Sequence, residues 1–253
     1  MIFYFSATGN SKYVAERLAT ATEENLISIE EAMKDKRFVY EANDEDRIGF
    51  VMPTYYYGLP KIVEEFLDRV QLFTKKHHYV YHVLTMGGST GNAGRSFRKL
   101  MAGNGMKVDA SFSVKFPDTW TPLFDLSDKE NVRRILEEAE PLVGGICEKV
   151  KARAIGDFDS HKGVWRIFST LTRISYYGQT TDKFAVSESC VGCGLCASGC
   201  PDSTISIVDG KPVWVSDKCD FCLRCLHRCP KFAISFGRNT HKHGQYVNPN
   251  VEI

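Results

Sequence analysis

The chain carries almost no net charge: 32 Lys and Arg stand against 31 Asp and Glu in 253 residues, a formal +1. Residues 186–253 hold seven of those cations and six of the anions, which leaves 25 of each for residues 1–185. Neither part has the basic excess that nucleic acid or an anionic membrane surface would call for. Long apolar runs are also missing. Met1–Phe5 is apolar, but polar residues follow at once, without the basic start, long apolar core and cleavage site of a secretory leader. No stretch reaches the roughly 20 apolar residues of a membrane-crossing helix. A cytoplasmic, reducing setting is therefore expected. Two phosphate motifs are absent as well. Lys12 follows Ser11 where a P-loop would need G-K-[ST], and the Gly-rich stretch 87–94 lacks the G-x-G-x-x-G spacing of a dinucleotide site. Direct oxidation of NAD(P)H is thus not expected. Cysteine is scarce outside one region: eight of nine fall between 190 and 229, and Cys147, alone on an expected helix, reads as an inert buried thiol.

Those eight form two runs: Cys190-x2-Cys193-x2-Cys196-x3-Cys200-Pro201, and Cys219-x2-Cys222-x2-Cys225-x3-Cys229-Pro230. Each is the run of bacterial two-cluster ferredoxins, in which the fourth Cys ligates the other cluster. That resemblance implies one 4Fe–4S cluster on Cys190, Cys193, Cys196 and Cys229, and another on Cys219, Cys222, Cys225 and Cys200. Zinc is the rival, since C-x2-C pairs also build tetrahedral sites. The third Cys at x2 and the following Pro, both repeated, favour iron–sulfur. The runs belong to a tandem repeat with an offset of 29 residues, in which Pro201 matches Pro230, Ile205 matches Ile234 and Ser206 matches Ser235. Asp209-Gly210 between Ile205–Val208 and Pro212–Val215 signals a hairpin. So short a unit has little core, and its clusters would be its main support. Gly192, Gly194 and Gly199 let backbone N–H groups approach sulfur, whereas the second run has Phe221, Arg224 and Arg228. If those arginines face inward, the second cluster is the easier to reduce. His227 is expected at the surface.

The first 155 residues alternate between strand and helix patterns. Met1–Phe5, Leu26–Ile29, Arg47–Met52, Tyr79–Met86 and Lys107–Lys115 read as strands. Tyr13–Leu18, Pro60–Val70, Ala93–Met101 and Asp128–Arg153 read as helices, the last kinked or broken at Pro141. This order implies an α/β fold, with a parallel sheet covered on both faces and ligands beyond the carboxyl ends of the strands. Three loops lie there: Ser6–Ser11, Pro53–Gly58 and Gly87–Gly94. Backbone amides and a helix N-terminus make the first an anion site. In order, spacing and strand context the three resemble the flavodoxin family, whose phosphate loop reads [ST]-x-T-G-N-[ST]. The resemblance implies a doubly wound five-stranded parallel sheet of order 2-1-3-4-5 and bound FMN. Ser6, Thr8, Gly9, Asn10 and Ser11 would hold the phosphate. Some of Tyr55, Tyr56 and Tyr57 would lie against the ring, and Thr54, Gly58, Gly87, Gly88 and Gly91 would allow close backbone approach.

Residues 116–127 form a loop too long and apolar to be a plain connection. Trp120 and Phe124 are expected either to cover the flavin or to pack against the second domain. Residues 156–182 read as a helical linker. In it Val164, Ile167, Phe168, Leu171 and Ile174 form an apolar stripe, with Lys162, Arg166 and Arg173 off it. Core or inter-domain packing suits that stripe better than a membrane surface, which its few cations would hardly attract. Lys183–Ser187 reads as a strand entering the second domain, a small α+β unit covering 183–253. Its polar tail, Gly237–Ile253, is expected either in solvent or across the first domain.

As a whole the chain resembles flavodoxin–ferredoxin fusion proteins of anaerobic bacteria and archaea. That resemblance implies electron transfer between two 4Fe–4S clusters and FMN, to or from a small-molecule acceptor or a redox partner protein. Three readings follow. The flavin reduces or oxidises a substrate; or the chain is a carrier that docks partners transiently through a small interface; or the clusters are structural or oxygen-sensing. An enclosed flavin pocket with a proton donor would favour the first, an exposed ring edge on a flat surface the second.

Overall fold

The computed structural model describes residues 1–43, 47–74, 77–162 and 169–253. In chain order the elements are β1 (Ile2–Tyr4), α1 (Asn10–Thr22), β2 (Leu26–Ser28), α2 (Ile29–Lys34), β3 (Val39–Glu41), β4 (Arg47–Pro53), α3 (Lys61–Arg69) and β5 (Gln71–Phe73). Then come β6 (Tyr79–Met86), α4 (Ala93–Gly103), β7 (Ala110–Lys115), α5 (Lys129–Lys151), β8 (Gly156–Asp157) and α6 (Ser169–Tyr177). The last part holds β9 (Phe184–Val186), α7 (Leu195–Ser198), β10 (Ile205–Val208), β11 (Lys211–Trp214), α8 (Arg224–His227), β12 (Ile234–Phe236) and α9 (Thr240–His243).

The main sheet runs β2-β1-β4-β6-β7-β8, with every pair parallel. Its central strands are mostly apolar because both faces are covered. Every residue of β6 is buried. On one face Val14, Leu18, Val143 and Val150 from α1 and α5 pack on Ile2, Val51 and Val83. On the other, Phe66, Leu67 and Phe97 from α3 and α4 pack on Phe3, Phe50 and Leu84. The sheet has six strands rather than the expected five, because β8 adds a two-residue edge beside β7 and beyond residue 155. A separate parallel pair, β3 with β5, was not legible in the sequence. Nor does Pro141 break its helix: α5 continues through it. Pro141 sits on the exposed side, where the carbonyl it leaves free can meet water.

The cysteine-bearing half has two antiparallel pairs, β10 with β11 and β9 with β12. The first closes at Asp209-Gly210, both at positive φ. An aromatic cluster joins the two halves. Phe221, Leu223, Leu226 and Phe236 pack with Tyr176 of α6 and with Tyr55, Tyr56 and Trp120 of the α/β half. Of the linker stripe, Val164, Ile167 and Phe168 lie outside the described residues, as does Arg166. Leu171 and Ile174 do not pack inward as expected; they are exposed at 67% and 65%. The helix instead buries Tyr176, and Arg173, off the stripe, is clamped between the Leu59 carbonyl at 2.7 Å and Glu64 at 2.7 Å.

Candidate functional site

The three loops at the carboxyl ends of β1, β4 and β6 meet around one cavity of about 350 Å³. From the first loop it takes Ser6, Ala7, Thr8, Asn10 and Ser11. Gly9, at φ 99°, turns the chain into α1, and its N–H donates to Ser6 Oγ at 3.1 Å. Ser11 Oγ lies 2.8 Å from Thr85 Oγ1, which ties the loop to β6. Apart from Asp118, the described residues around the cavity carry no ordinarily charged side chain. A phosphate there would be met by hydroxyls, amides and the start of α1.

The second loop is a tight turn. Tyr55 and Gly58 exchange N–H···O bonds, each 2.9 Å, around Tyr56 and Tyr57 at φ 49° and 60°. Two consecutive positive φ values normally call for Asn-Gly. Tyrosines held there store backbone strain, as functional loops often do. Tyr56 stacks on Tyr176 at 4.9 Å, stands edge-on to Trp120 at 5.3 Å, and accepts a hydrogen bond from Gln179 Nε2. Burial raises all three phenol pKa values. Thr54 Oγ1 is buried against the cavity with no partner, an orphan that a bound ligand would satisfy. In the third loop a Cβ on Gly87 would collide with the Asp118 side chain, so only glycine fits.

The expected contact residues Ser6, Thr8, Asn10, Ser11, Thr54, Tyr55, Tyr56, Tyr57, Gly87, Gly88 and Trp120 all line this cavity. Gly9, Gly58 and Gly91 do not. Gly91 backs onto Tyr57 and Gly58 onto Arg173, so each fixes the tyrosine turn from outside. Trp120 packs against the cysteine-bearing half, 5.5 Å from Phe236, and also walls the cavity. Sequence reasoning missed Asp118, Phe221 and Cys222. Asp118 stood in the loop already singled out for its length, but nothing local marked it.

Around the first cysteine run, Cys190, Cys193, Cys196 and Cys229 line a single small hollow with Ile207 and Pro212. In the second set, Cys219 and Cys225 lie close enough to Cys200 for the thiols to feel one another's charge. Burial pushes the Cys219 thiol up to about 12, and those of Cys222 and Cys225 well above the ordinary range. Thiolate sulfur is the donor that iron–sulfur clusters take. His227, expected at the surface, is instead buried at 3% exposure: its Nε2 meets the Thr119 carbonyl and its Nδ1 the Tyr246 N–H. Arg224 is buried; against the effect of burial its charge lowers the pKa of the Cys222 thiol, and it donates to the Gly199 carbonyl, next to Cys200, at 2.8 Å. It pairs with Glu30 at 2.6 Å and donates to the Ser6 carbonyl at 2.8 Å, while Arg228 donates to the Ile253 carbonyl.

The sequence model of the flavodoxin domain matches residues 1–141, more than half of the chain. The chain belongs to the flavodoxin domain family. Behind this flavodoxin domain, residues 183–230 match the 4Fe-4S dicluster domain. This is the domain pairing of flavodoxin–ferredoxin fusion proteins. An uncharacterized polyferredoxin-like protein of Methanocaldococcus jannaschii is 32% identical over 65 residues, covering 21% of this chain and 39% of that protein. Among solved structures, a putative flavoprotein from Bacteroides uniformis aligns over 54% of this chain and 96% of its own, at 16% identity and TM-score 0.36. An FMN-dependent NADH-azoreductase from Bacillus anthracis, solved with FMN, aligns over 59% and 98%, at 10% identity and TM-score 0.37. Among the described residues, no helix is long and apolar enough to cross a membrane.

Proposed function

We propose that the chain moves electrons between two 4Fe–4S clusters and one FMN, and that a small acceptor exchanges them at the flavin. The clusters are held by Cys190, Cys193, Cys196 and Cys229, and by Cys219, Cys222, Cys225 and Cys200. The observation that carries the reading is that Phe221 and Cys222, from the second run, stand in the wall of the cavity built by the flavodoxin loops. One ligand of the second cluster would therefore border the flavin. When bound, FMN supplies one- or two-electron exchange and each cluster one-electron exchange. Ser6, Thr8, Gly9, Asn10 and Ser11 hold the phosphate, while Thr54, the tyrosine turn, Gly87, Gly88 and Trp120 shape the ring site and Gly58 and Gly91 brace the turn. The working units are residues 1–155, a join over 156–182, and 183–253. This reading goes with an anaerobic, reducing cytoplasm and with a redox protein as electron partner.

The cavity is of ligand-pocket size, and its wall carries Asp118, whose pKa burial raises. Burial favours the protonated form of that carboxyl, and a carboxyl in the cavity wall is placed to exchange a proton with an acceptor, which supports substrate chemistry over simple carriage. Asp118 accepts the Trp120 N–H at 2.9 Å, which fixes it on the loop. The carrier reading draws on a different observation: Leu123 and Phe124, at the cavity rim, are 72% and 46% exposed. A partner protein could cover them. Anaerobic purification with iron and flavin counted per chain tests the core of the reading. About eight irons and about one FMN are expected; about four irons, or zinc in their place, would overturn it.

A further inference from the structure

The polar tail after α9 is not in solvent. Tyr246 and Asn248 are 5% and 1% exposed, and they lie on the phosphate loop. The Asn248 N–H donates to the Thr8 carbonyl at 2.8 Å. A Cβ at Gly9 would lie 2.9 Å from both Asn248 Cβ and Val251 Cγ1, so the strap closes down on the loop's glycine. The same segment is anchored on the cysteine-bearing half. Gln245 Nε2 donates to the Leu226 and Cys229 carbonyls at 2.5 and 2.9 Å, and the Tyr246 N–H to His227 Nδ1 at 3.2 Å.

The hydrogen bonds leave one consistent set of amide orientations. The Asn250 N–H is a donor, so the atom it meets at 3.0 Å must be Asn248 Oδ1. Asn248 then turns its NH2 toward Asn10, which must answer with Oδ1, at 3.1 Å. Tyr246 Oη donates to the same oxygen at 2.6 Å. With Oδ1 held by two donors from the tail, the corner of Asn10 turned away from the strap is its NH2. Asn10 lines the cavity, and its NH2 is the end that the tail's two hydrogen bonds leave available to a ligand there.

We infer that Tyr246 and Asn248 complete the phosphate subsite: the tail locks the Asn10 carboxamide with its NH2 toward the flavin's phosphate. FMN retention then depends on a segment anchored beside the clusters. The inference rests on the FMN reading given above. Tyr246 and Asn248 are positioning residues that act through Asn10.

The test is equilibrium binding of FMN and of riboflavin, which lacks the phosphate, to full-length chain stripped of flavin anaerobically. Asn248→Leu removes the donor that orients Asn10, and Tyr246→Phe removes the second one without changing shape. Asn248→Leu should weaken FMN binding roughly ten- to a hundredfold, the worth of a hydrogen bond to a charged group, and leave riboflavin unchanged. Tyr246→Phe should weaken FMN about fivefold, again with riboflavin unchanged. Equal losses for both ligands, or no loss of FMN, would overturn the inference. Failure of the unmodified chain to bind either flavin would instead overturn the FMN reading beneath it.

Discussion

The two cysteine runs carry the same ligands at the same spacing, yet they face different surroundings. With the 29-residue offset, Val191 corresponds to Asp220, Gly192 to Phe221, Gly194 to Leu223, Leu195 to Arg224 and Ser198 to His227. In the first run Val191, Cys193 and Leu195 are exposed. In the second, Asp220, Phe221, Leu223, Arg224 and His227 are all buried. Backbone shape is shared: Gly192 and Gly194 have φ 67° and 76°, and Phe221 and Leu223 have 48° and 54°. The first run meets this left-handed requirement with glycine, which adopts it freely. The second holds larger residues there at a cost of about 1–2 kcal/mol each, offset by the surface they bury against the flavodoxin domain. The same cysteine spacing thus stands in two settings, one run open to solvent and one built into the cavity wall.

Exchanging residues between the runs should therefore have unequal effects in the two directions. Asp220 accepts from the Lys61 and Ile62 N–H groups at 2.6 and 3.1 Å and from the Tyr176 hydroxyl at 2.6 Å. Asp220→Val strands these donors and is expected to cost about 3–5 kcal/mol, or roughly 10 °C in the thermal midpoint. The reverse change at exposed Val191, Val191→Asp, should stay within about 0.5 kcal/mol. Anaerobic melting followed by visible absorbance measures both, and equal shifts would erase the asymmetry. Phe221→Gly comes next. Losing a buried aromatic costs about 3–5 kcal/mol and relieving the left-handed backbone returns about 1, so a net loss of about 2–4 is expected in the same assay.

The smallest effect concerns pH. Burial lowers the His227 pKa to about 4. The unfolded chain, with a pKa near 6.5, binds the proton more readily. Stability is therefore fully present above about pH 6.5 and is lost as pH falls toward about 4. Going from about pH 7.5 to about 5.5, His227 should remove about 1.4 kcal/mol. His227→Ser, the first-run residue, should flatten that slope in melts at the two pH values; an unchanged slope would place the acid sensitivity elsewhere.

What the sequence made legible was whatever chemistry forces into a local pattern. Thiolates around a cube require fixed spacing, and a phosphate loop before a helix requires its small polar residues. Both stood out, as did the alternation of buried strands and helices. What stayed hidden depends on partners distant in the chain. Leu171 and Ile174 have the spacing of an inward stripe, but Tyr176 supplies the buried face of α6, so the period alone pointed the wrong way. His227 looked like a surface residue until Thr119 and Tyr246 were seen to enclose it. The tail has no periodicity because it forms no helix or strand over its last ten residues; its contacts with Thr8 and Asn10 span more than 230 residues. Arg224 was legible as a charge near the second run, and it does act on the Cys222 thiol; the bonds to Glu30 and Ser6 that hold it there come from distant residues and left no local signal.

The central claim is that electrons reach the flavin through the cluster of the second run. Anaerobic stopped-flow reduction of bound FMN by a reduced one-electron donor protein tests it, with Cys222→Ser and Cys193→Ser compared against the intact chain and iron counted in each. Cys222→Ser should abolish rapid flavin reduction while the flavin stays bound. Cys193→Ser should slow entry from the donor but leave a flavin that the second cluster still reduces. Flavin reduction at the intact rate in a Cys222→Ser chain shown by iron analysis to lack that cluster would contradict the account.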